Sequence, residues 1–266
     1  MIAENAEAKR LQIGTMKVEV YPSSKLAGIA AAQATAQAMV ELQRTRDFFG
    51  IIFATGASQL EMLHALTSMK ELPWHQVRGV HLDEYVGIPA THPASFRRYL
   101  RERLTQKVSM REFFEIDGSA PNPEQTCLSY AETVRSVDPQ ICLLGVGENG
   151  HLAFNDPDVA DFNDPREVKV VHLDQTCRQQ QAAEGWFASV DEVAAEAITL
   201  TIPTVLRVPK LIVSVPGERK AAIMRRTLEE PISIACPATI LRTHPDVTVY
   251  LDSDSARYLD GPLTPR

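Results

Sequence analysis

Apolar and polar positions along the chain follow two alternating patterns. Short apolar runs bounded by turn residues are typical of buried strands, and apolar residues repeating every three or four positions are typical of helices. The first pattern predicts strands at residues 16–21, 50–54, 77–82, 141–144, 168–173, 211–215 and 247–251. The second predicts helices at residues 25–46, 58–69, 93–104, 123–137, 176–184, 218–229 and 253–259. A further apolar segment covers residues 197–202.

A strand followed by a helix recurs along almost the whole chain. This order predicts an α/β fold with a mostly parallel, Rossmann-like sheet and helices on both faces. Ser23 and Ser24 can cap the longest helix, and Pro93 suits the first turn of the helix that it opens. No change of composition and no glycine- or serine-rich linker divides the sequence. We therefore expect a single domain over residues 1–266, with residues 1–15 as an N-terminal extension.

Composition and charge limit the partners that this chain could bind. Its 266 residues carry a formal net charge of −7 without a basic stripe, which disfavours nucleic acid. No apolar run reaches membrane-spanning length and the first residues contain no apolar leader core, so a cytoplasmic protein without a membrane partner is expected. The four cysteines lie far apart, without paired metal or redox spacing, and no metal or cofactor is predicted.

The loop that follows the apolar run 141–144 is the clearest candidate for chemistry. Gly145, Gly147 and Gly150 interrupt the run, and His151 comes directly after the third glycine. Glycines allow positive φ angles and let a ligand approach the backbone closely. Histidine is the side chain best suited to moving protons near neutral pH, and open α/β folds bind ligands at the carboxyl ends of their strands. We therefore predict a catalytic loop here.

A second strand-to-helix junction suits a phosphate group. Thr55, Gly56, Ala57 and Ser58 offer backbone N–H groups and two hydroxyls at the predicted start of a helix. The alternative interpretation is that Ser58 only caps its helix, and the sequence does not separate the two.

Two adjacent carboxylates follow the strand at residues 77–82. Asp83 or Glu84 could act as a general base at this strand end. Side chains alternate along a strand, so we expect only one of the two to face a site unless the chain turns. The competing interpretation is a solvated acidic loop.

Basic residues near two further helix starts could contact an anion. Lys220 follows Gly217 at the start of the helix predicted at 218–229, and Arg178 lies in the helix predicted at 176–184. Basic residues near a helix N-terminus oppose the helix dipole, so they need another reason to be there. The alternative is that both side chains simply face water.

Taken in order, these motifs resemble the glucosamine-6-phosphate deaminase family, whose superfamily also includes 6-phosphogluconolactonases. The likeness runs from about residue 18 to about residue 252 and is strongest at five segments, which cover residues 55–58, 82–87, 92–96, 145–157 and 217–220. Lactonases resemble Asp-Glu-Arg at the second of these segments and Thr-Ala-Ser-Leu-Phe-Pro after their histidine. Tyr85 and residues 152–155 (Leu-Ala-Phe-Asn) are similar to the deaminase branch instead.

The resemblance implies a reaction and a role for each motif. The substrate would be a 2-amino-2-deoxyhexose 6-phosphate, and the products a ketohexose 6-phosphate and ammonia. His151 would open the sugar ring, and Asp83 would move a proton from C2 to C1. The remaining implied binding residues hold the substrate and its phosphate; they are Thr55, Gly56, Ala57, Ser58, Gly147, Gly150, Arg178 and Lys220.

The chain departs from the family pattern around the histidine and in one distant segment. Asn149 stands where many members carry Asp, and Asp156 stands where they carry Glu. The Asn149 amide oxygen could still accept a hydrogen bond from the imidazole. Two alternatives stay open: His151, Asp156 and Asn149 keep the ring-opening triad, or the triad is retuned for another sugar. Lys169 matches a basic residue that binds an allosteric sugar phosphate in regulated members, but Glu167 falls where an Arg is usual, so this regulation is not expected.

Two other functions compete with deamination. A sugar-phosphate lactonase would use the same phosphate site and His151 without needing Asp83. A non-catalytic sugar-phosphate sensor would keep the pocket and lose turnover. The sequence leaves open the sugar epimer and whether the chain forms a homo-oligomer.

Overall fold

The computed structural model describes residues 8–173, 175–183 and 185–259. Its strands, in chain order, are β1 (Lys9–Ile13), β2 (Met16–Tyr21), β3 (Phe49–Phe53), β4 (Val77–His81), β5 (Asp83–Tyr85), β6 (Glu112–Phe113), β7 (Pro139–Leu144), β8 (Val168–His172), β9 (Glu196–Leu200), β10 (Lys210–Val215) and β11 (Val247–Asp252). Its helices are α1 (Ser24–Gln43), α2 (Leu60–Ser68), α3 (Phe96–Leu100), α4 (Pro123–Val137), α5 (Gln175–Ala183), α6 (Ile202–Leu206) and α7 (Ala221–Glu229). None of these described helices is long and apolar enough to cross a membrane.

A large sheet forms the centre of the described chain. Eight strands pair in the order β1-β2-β11-β10-β7-β3-β4-β6, and every neighbouring pair is parallel except β1 with β2. The predicted α/β fold with a mostly parallel sheet is therefore confirmed. Strand β1 lies within the segment expected as an N-terminal extension, so part of that segment belongs to the sheet.

Helices cover both faces of this sheet, as expected. Strand β7 is apolar on both faces, because Cys142 and Leu144 join one buried cluster while Ile141 and Leu143 join another. The first cluster includes residues of α4 and α7, and the second includes residues of α1 and α2. Burial on both faces explains why the strand reads as a continuous apolar run.

A second, smaller sheet was not predicted. Strands β5, β9 and β8 pair antiparallel in that order, so the predicted strand at 168–173 and the apolar segment at 197–202 lie outside the parallel sheet. A single residue, Leu82, separates the end of β4 from the start of β5. The chain therefore passes from the large sheet to the small one immediately before Asp83.

Several predicted boundaries need correction. Ser23 caps α1, and its hydroxyl accepts a hydrogen bond from the Leu26 N–H at 3.3 Å. Helix α3 begins at Phe96 rather than Pro93, because Ser95 is its N-cap, and a π-helical turn at Arg101–Thr105 continues it. The helix predicted at 253–259 is wrong, since these residues form turns. The last residue of the helix predicted at 176–184 lies outside the described residues.

Candidate active site

A cavity of about 670 Å³ opens at the carboxyl ends of the parallel strands. Loops that follow β3, β7, β10 and β11 contribute to its wall, as does the start of β5. The predicted site residues that line it are Thr55, Gly56, Ala57, Ser58, Asp83, Gly147, His151 and Lys220. Residues far apart in the sequence thus meet where open α/β folds place their ligands.

Asp83 faces this cavity, whereas Glu84 faces away from it. The Glu84 side chain is fully buried and accepts hydrogen bonds from the Ser95 hydroxyl at 2.7 Å and from Nε of Arg97 at 3.2 Å. Glu84 therefore anchors the start of α3, and Asp83 alone of the pair lines the cavity. The strand alternation predicts this division, and the structure excludes a solvated acidic loop because both carboxylates are buried.

Burial changes the acidity of Asp83. Desolvation raises the pKa of its carboxyl group well above the usual value, and the neighbouring charge of Glu84 raises it further. A carboxylate of raised pKa accepts a proton more readily than an exposed one does. Burial thus gives Asp83 the raised pKa that suits a general base, which must accept a proton from a carbon atom.

His81 holds the backbone on which Asp83 sits, a role that the sequence analysis missed. Its Nε2 accepts a hydrogen bond from the Ile116 N–H at 2.8 Å, so the ring proton lies on Nδ1, which donates to the Asp83 carbonyl oxygen at 2.9 Å. Burial lowers the pKa of His81 to about 3, so the ring stays neutral at physiological pH. Both ring nitrogens are thereby committed, and His81 serves structure rather than proton transfer.

His151 lies against a buried carboxylate. Its Nδ1 is 2.9 Å from Oδ1 of Asp156. Desolvation raises the pKa of Asp156, but its contacts with His151 and Asn149 outweigh this effect, and the net pKa is lowered. Asp156 is therefore ionised near neutral pH, where it can orient the imidazole and stabilise its protonated form.

Asn149 contacts both Asp156 and the backbone of His151, but not in the way the sequence predicts. Its amide Nδ2 donates to Oδ1 of Asp156 at 2.7 Å, and its amide oxygen accepts from the backbone N–H of His151 at 3.0 Å. The suggested contact between the amide oxygen and the imidazole is wrong. Asn149 and Asp156 lie outside the cavity lining and support His151 from behind.

The two neighbouring glycines have different structural roles. A Cβ atom at Gly147 would lie 2.2 Å from Cε1 of His151, so only glycine leaves room for the ring. Gly150 has a φ of +89°, and a Cβ there would lie 2.8 Å from Sγ of Cys236. Gly150 is absent from the cavity lining, so its assignment as a binding residue is not supported by its position.

The small sheet ties the His151 loop to the strand that carries Asp83. Thr199 on β9 pairs with Asp83 on β5, and its hydroxyl accepts the Phe154 N–H at 3.1 Å. The Asn155 amide donates to the carbonyl oxygens of Leu152 at 2.9 Å and Leu200 at 2.8 Å. These contacts fix the two candidate catalytic side chains relative to each other, and no local motif in the sequence indicates them.

The segment after β3 presents its backbone and hydroxyls to the cavity. Gly56 has a φ of +91° and precedes a short 3₁₀ turn at Ala57–Gln59. The Ser58 side chain caps neither this turn nor α2, and its hydroxyl accepts a hydrogen bond from Nε2 of Gln59 at 2.8 Å. The alternative that Ser58 only caps its helix is therefore wrong.

Lys220 and Arg178, the two predicted cationic contacts, have different positions. Lys220 lines the cavity next to Gly217, whose N–H donates to the carboxylate of Asp252 at 3.0 Å. The guanidinium of Arg178 lies outside the cavity lining and donates to the Val190 carbonyl oxygen at 2.8 Å. The structure thus brings Lys220, but not Arg178, to the site.

Gln181 on α5 also lines the cavity, and the sequence analysis did not single it out. Its Oε1 accepts a hydrogen bond from the hydroxyl of buried Tyr85 at 2.6 Å. An aromatic cluster surrounds Tyr85, with ring centroids 5.0 Å away for Phe96 and 5.3 Å away for Phe154. A single glutamine in a polar helix carries no sequence signal that could have identified it.

Comparison with known proteins identifies the family. The sequence profile described as glucosamine-6-phosphate isomerases/6-phosphogluconolactonase matches residues 22–250. The chain belongs to this family. The resemblance drawn from its motifs is therefore confirmed.

Curated relatives of this family member are named glucosamine-6-phosphate deaminase. One from Exiguobacterium sibiricum is 35% identical over 219 residues, which cover 82% of this chain and 84% of the relative. One from Listeria monocytogenes serotype 4a is 34% identical over 206 residues, which cover 77% of this chain and 86% of the relative.

Solved structures have the same fold. A monomeric glucosamine-6-phosphate deaminase superposes with a TM-score of 0.82 at 31% identity, covering 90% of this chain and 98% of its own. A 6-phosphogluconolactonase from Thermotoga maritima superposes with a TM-score of 0.73 at 18% identity, covering 89% of this chain and 99% of its own. At that identity, the second likeness concerns the fold alone.

Proposed function

We propose that this protein is an aminosugar-phosphate deaminase. It converts glucosamine 6-phosphate, or a close hexosamine 6-phosphate, to the ketohexose 6-phosphate and ammonia. The observation that carries the proposal is that Asp83 and His151 line one cavity, with Asp156 behind the histidine at 2.9 Å. The names of the relatives at 33–35% identity support the same reaction.

Binding begins at the phosphate. Backbone N–H groups and hydroxyls of residues 55–58, together with Lys220, offer donors and positive charge on the wall of the cavity. Anchoring the phosphate orients the flexible open-chain sugar over the reacting groups, so binding energy is converted into alignment.

His151 opens the sugar ring. Its imidazole takes the proton of the anomeric hydroxyl and returns a proton to the ring oxygen as the C1–O5 bond breaks, which leaves an aldehyde at C1. Between the two transfers the ring is an imidazolium, and the carboxylate of Asp156 stabilises this charge.

Asp83 carries out the isomerisation. Its carboxylate takes the proton from C2 while O1 takes up a proton from water, which gives an enolamine. The resulting carboxylic acid then delivers its proton to C1, and the nitrogen gives up a proton to water as the C2=N bond forms. The product is a ketimine at C2, and water adds to it and expels ammonia. The raised pKa of Asp83 matches both halves of this transfer, since the same group must accept and then donate.

The direct test is ammonia release by the purified protein from a panel of glucosamine, galactosamine and N-acetylated hexosamine 6-phosphates. We expect release from at least one amino sugar phosphate, and a loss of about 10²-fold or more in kcat for Asp83→Asn. Asp47→Asn, an exposed residue away from the cavity, is the matched control and should retain wild-type activity. Absence of ammonia with every substrate would contradict the proposal.

The same variants separate deamination from lactone hydrolysis. A lactonase does not need a base at C2, so Asp83→Asn would spare hydrolysis of a sugar-phosphate lactone. Lactone hydrolysis by both the wild type and Asp83→Asn, with no ammonia released by the wild type, would assign the chain to the other branch of the family.

A further inference from the structure

The back of the candidate active site contains three side chains with metal-binding atoms. His151, Asp156 and Cys177 each offer one such atom, and these atoms all lie within 4.8 Å of one another. All three residues are buried, and Cys177 reaches the group from α5 rather than from the His151 loop. The proposed deamination gives no task to Cys177.

Two polar atoms of this group, Nδ1 of His151 and Oδ2 of Asp156, are buried without a hydrogen-bond partner of good geometry among the described residues. The Asp156 carboxylate accepts a hydrogen bond from Asn149 through Oδ1 at 2.7 Å, and the Cys177 side chain also contacts this carboxylate. A buried carboxylate oxygen without a partner is costly, and such an oxygen is suited to a cation.

The donor set selects the kind of metal. Imidazole, carboxylate and thiolate are ligands of Zn²⁺, with bond lengths of about 2.0–2.3 Å and a tetrahedral arrangement. These bonds place neighbouring ligand atoms about 3.3–3.7 Å apart, so movements on the order of 1 Å would bring the three atoms into coordination. One thiolate and one carboxylate also balance the two charges of the ion.

We propose that His151, Asp156 and Cys177 form a Zn²⁺ site, and that zinc bound there reversibly inhibits the enzyme. His151 lines the cavity, so the ion reaches the group from the substrate side. Binding releases the thiol proton of Cys177 and places the metal on Nδ1, the imidazole nitrogen nearest Asp156. The ring proton is then confined to Nε2, and the ring has no lone pair with which to accept the anomeric proton.

The inhibitory part of this inference rests on the proposed function, but the binding part does not. Metal-free protein is therefore titrated with Co²⁺ as a spectroscopic substitute for zinc, in the absence of any substrate. We expect one Co²⁺ per chain with a thiolate-to-cobalt charge-transfer band in the near ultraviolet, which Zn²⁺ abolishes by displacement. Cys177→Ala should lose the band and weaken zinc binding at least about 10-fold.

Cys127→Ala is the matched control, because Cys127 is also buried on a helix but lies outside the group. It should keep the charge-transfer band and the wild-type affinity for zinc, and circular dichroism checks that each variant is folded. Absence of the band in the folded wild type, or an unchanged band in folded Cys177→Ala, would overturn the metal site.

Ammonia release then tests inhibition. Micromolar Zn²⁺ should stop the wild-type reaction, a chelator should restore it, and folded Cys177→Ala should need at least about 10-fold more zinc for the same fractional loss. Equal zinc sensitivity of the two proteins would overturn the inhibitory role. A protein that releases no ammonia but binds Co²⁺ through Cys177 would contradict the proposed function while upholding the site.

Discussion

Asp83, the proposed general base, carries a cost to folding. Its pKa is raised in the folded state, first by burial and then by Glu84, so the folded protein holds this proton more tightly than the unfolded chain does. The stability that this group contributes is complete below the ordinary carboxyl pKa of about 3.9 and is lost as the pH rises through the raised value. At neutral pH the unfolded chain ionises this group more readily than the folded protein does, so Asp83 opposes folding.

Replacing Asp83 by Asn should for this reason raise the melting temperature at pH 7 while lowering activity. The gain should shrink as the pH falls towards 4, because the wild-type side chain then becomes neutral as well. Thermal unfolding followed across this pH range measures the effect, and Asp47→Asn should show no such shift. A lower melting temperature for Asp83→Asn at pH 7 would contradict the argument.

Substitution of two glycines in the loop after β7, the proposed catalytic loop, should give different kinetic defects. A Cβ at Gly147 would collide with the His151 ring, at 2.2 Å from Cε1, so Gly147→Ala should displace the imidazole and lower kcat. A Cβ at Gly145 would lie 2.9 Å from the Ser58 hydroxyl, so Gly145→Ala should act mainly on phosphate binding and raise KM. Steady-state kinetics with ammonia detection separates the two, and identical effects on kcat and KM would count against the assignment of these loops.

At the scale of elements, the Glu84–Arg97 ion pair joins the small sheet to α3. The two side chains are 3.2 Å apart and almost completely buried, and Arg97 also donates to Asp117 at 2.8 Å. Removing Glu84 would leave the buried Arg97 with only the largely exposed carboxylate of Asp117 as an ionic partner, so much of the cost of burying its charge would go uncompensated. The pair therefore holds β5, and with it Asp83, in place.

Glu84→Gln should consequently lower the free energy of unfolding by about 3–5 kcal/mol, measured by urea denaturation. Glu102→Gln is the matched control, because Glu102 pairs with Arg98 on the exposed side of α3 and surface pairs contribute little. An equal decrease in the free energy of unfolding in the two variants would show that burial does not make the Glu84–Arg97 pair more stabilising than an exposed pair.

Local patterns predict elements well and their partners poorly. The apolar run of β7 and the alternation of Asp83 and Glu84 depend on neighbours in sequence, and both predictions agree with the structure. The small antiparallel sheet depends on the pairing of strands more than a hundred residues apart, and periodicity cannot report such pairing. The segment at 253–259 shows the opposite error, since its pattern predicts a helix but the residues form turns. Contacts with distant residues hold these turns: the Ser253 hydroxyl donates to the Pro22 carbonyl oxygen, and Arg257 pairs with Glu218.

Within the site, too, local sequence patterns are informative and contacts between distant residues are not predictable from them. Backbone and glycine patterns indicate a loop that does line the cavity. The position of Arg178 instead depends on the carbonyl groups of Val190 and Val193, and no sequence pattern indicates these contacts. The positioning roles of His81 and Thr199 likewise arise from contacts across the fold. Sequence alone could therefore suggest candidate reacting residues, but not the residues that position them.

At the scale of the whole molecule, the segment matched to an allosteric site in regulated members is occupied by internal contacts. Lys169 is buried and its Nζ lies 3.0 Å from Asp164 and 2.6 Å from the Val159 carbonyl oxygen. Glu167 is paired with Arg135 and Arg207, each at 2.6 Å. A second sugar phosphate would have to break these contacts and approach a carboxylate.

We therefore expect the initial rate to depend hyperbolically on substrate concentration. Adding N-acetylglucosamine 6-phosphate should not increase the rate at low substrate. A sigmoidal curve that this compound converts to a hyperbola would show that the segment opens to bind it.

The passage of the chain from the large sheet to the small one at Leu82 has a consequence for how this architecture can diversify. The loops of the large sheet present the proposed phosphate anchor, which recognises what all sugar phosphates share. The small sheet carries Asp83 and is packed against the aromatic cluster and the Gln181 contact. Substitutions in the small sheet can thus change which sugar is accepted and which reaction takes place at its C2 carbon. The loops of the large sheet can meanwhile keep binding the phosphate. A single ancestral scaffold can in this way give rise to enzymes with different reactions.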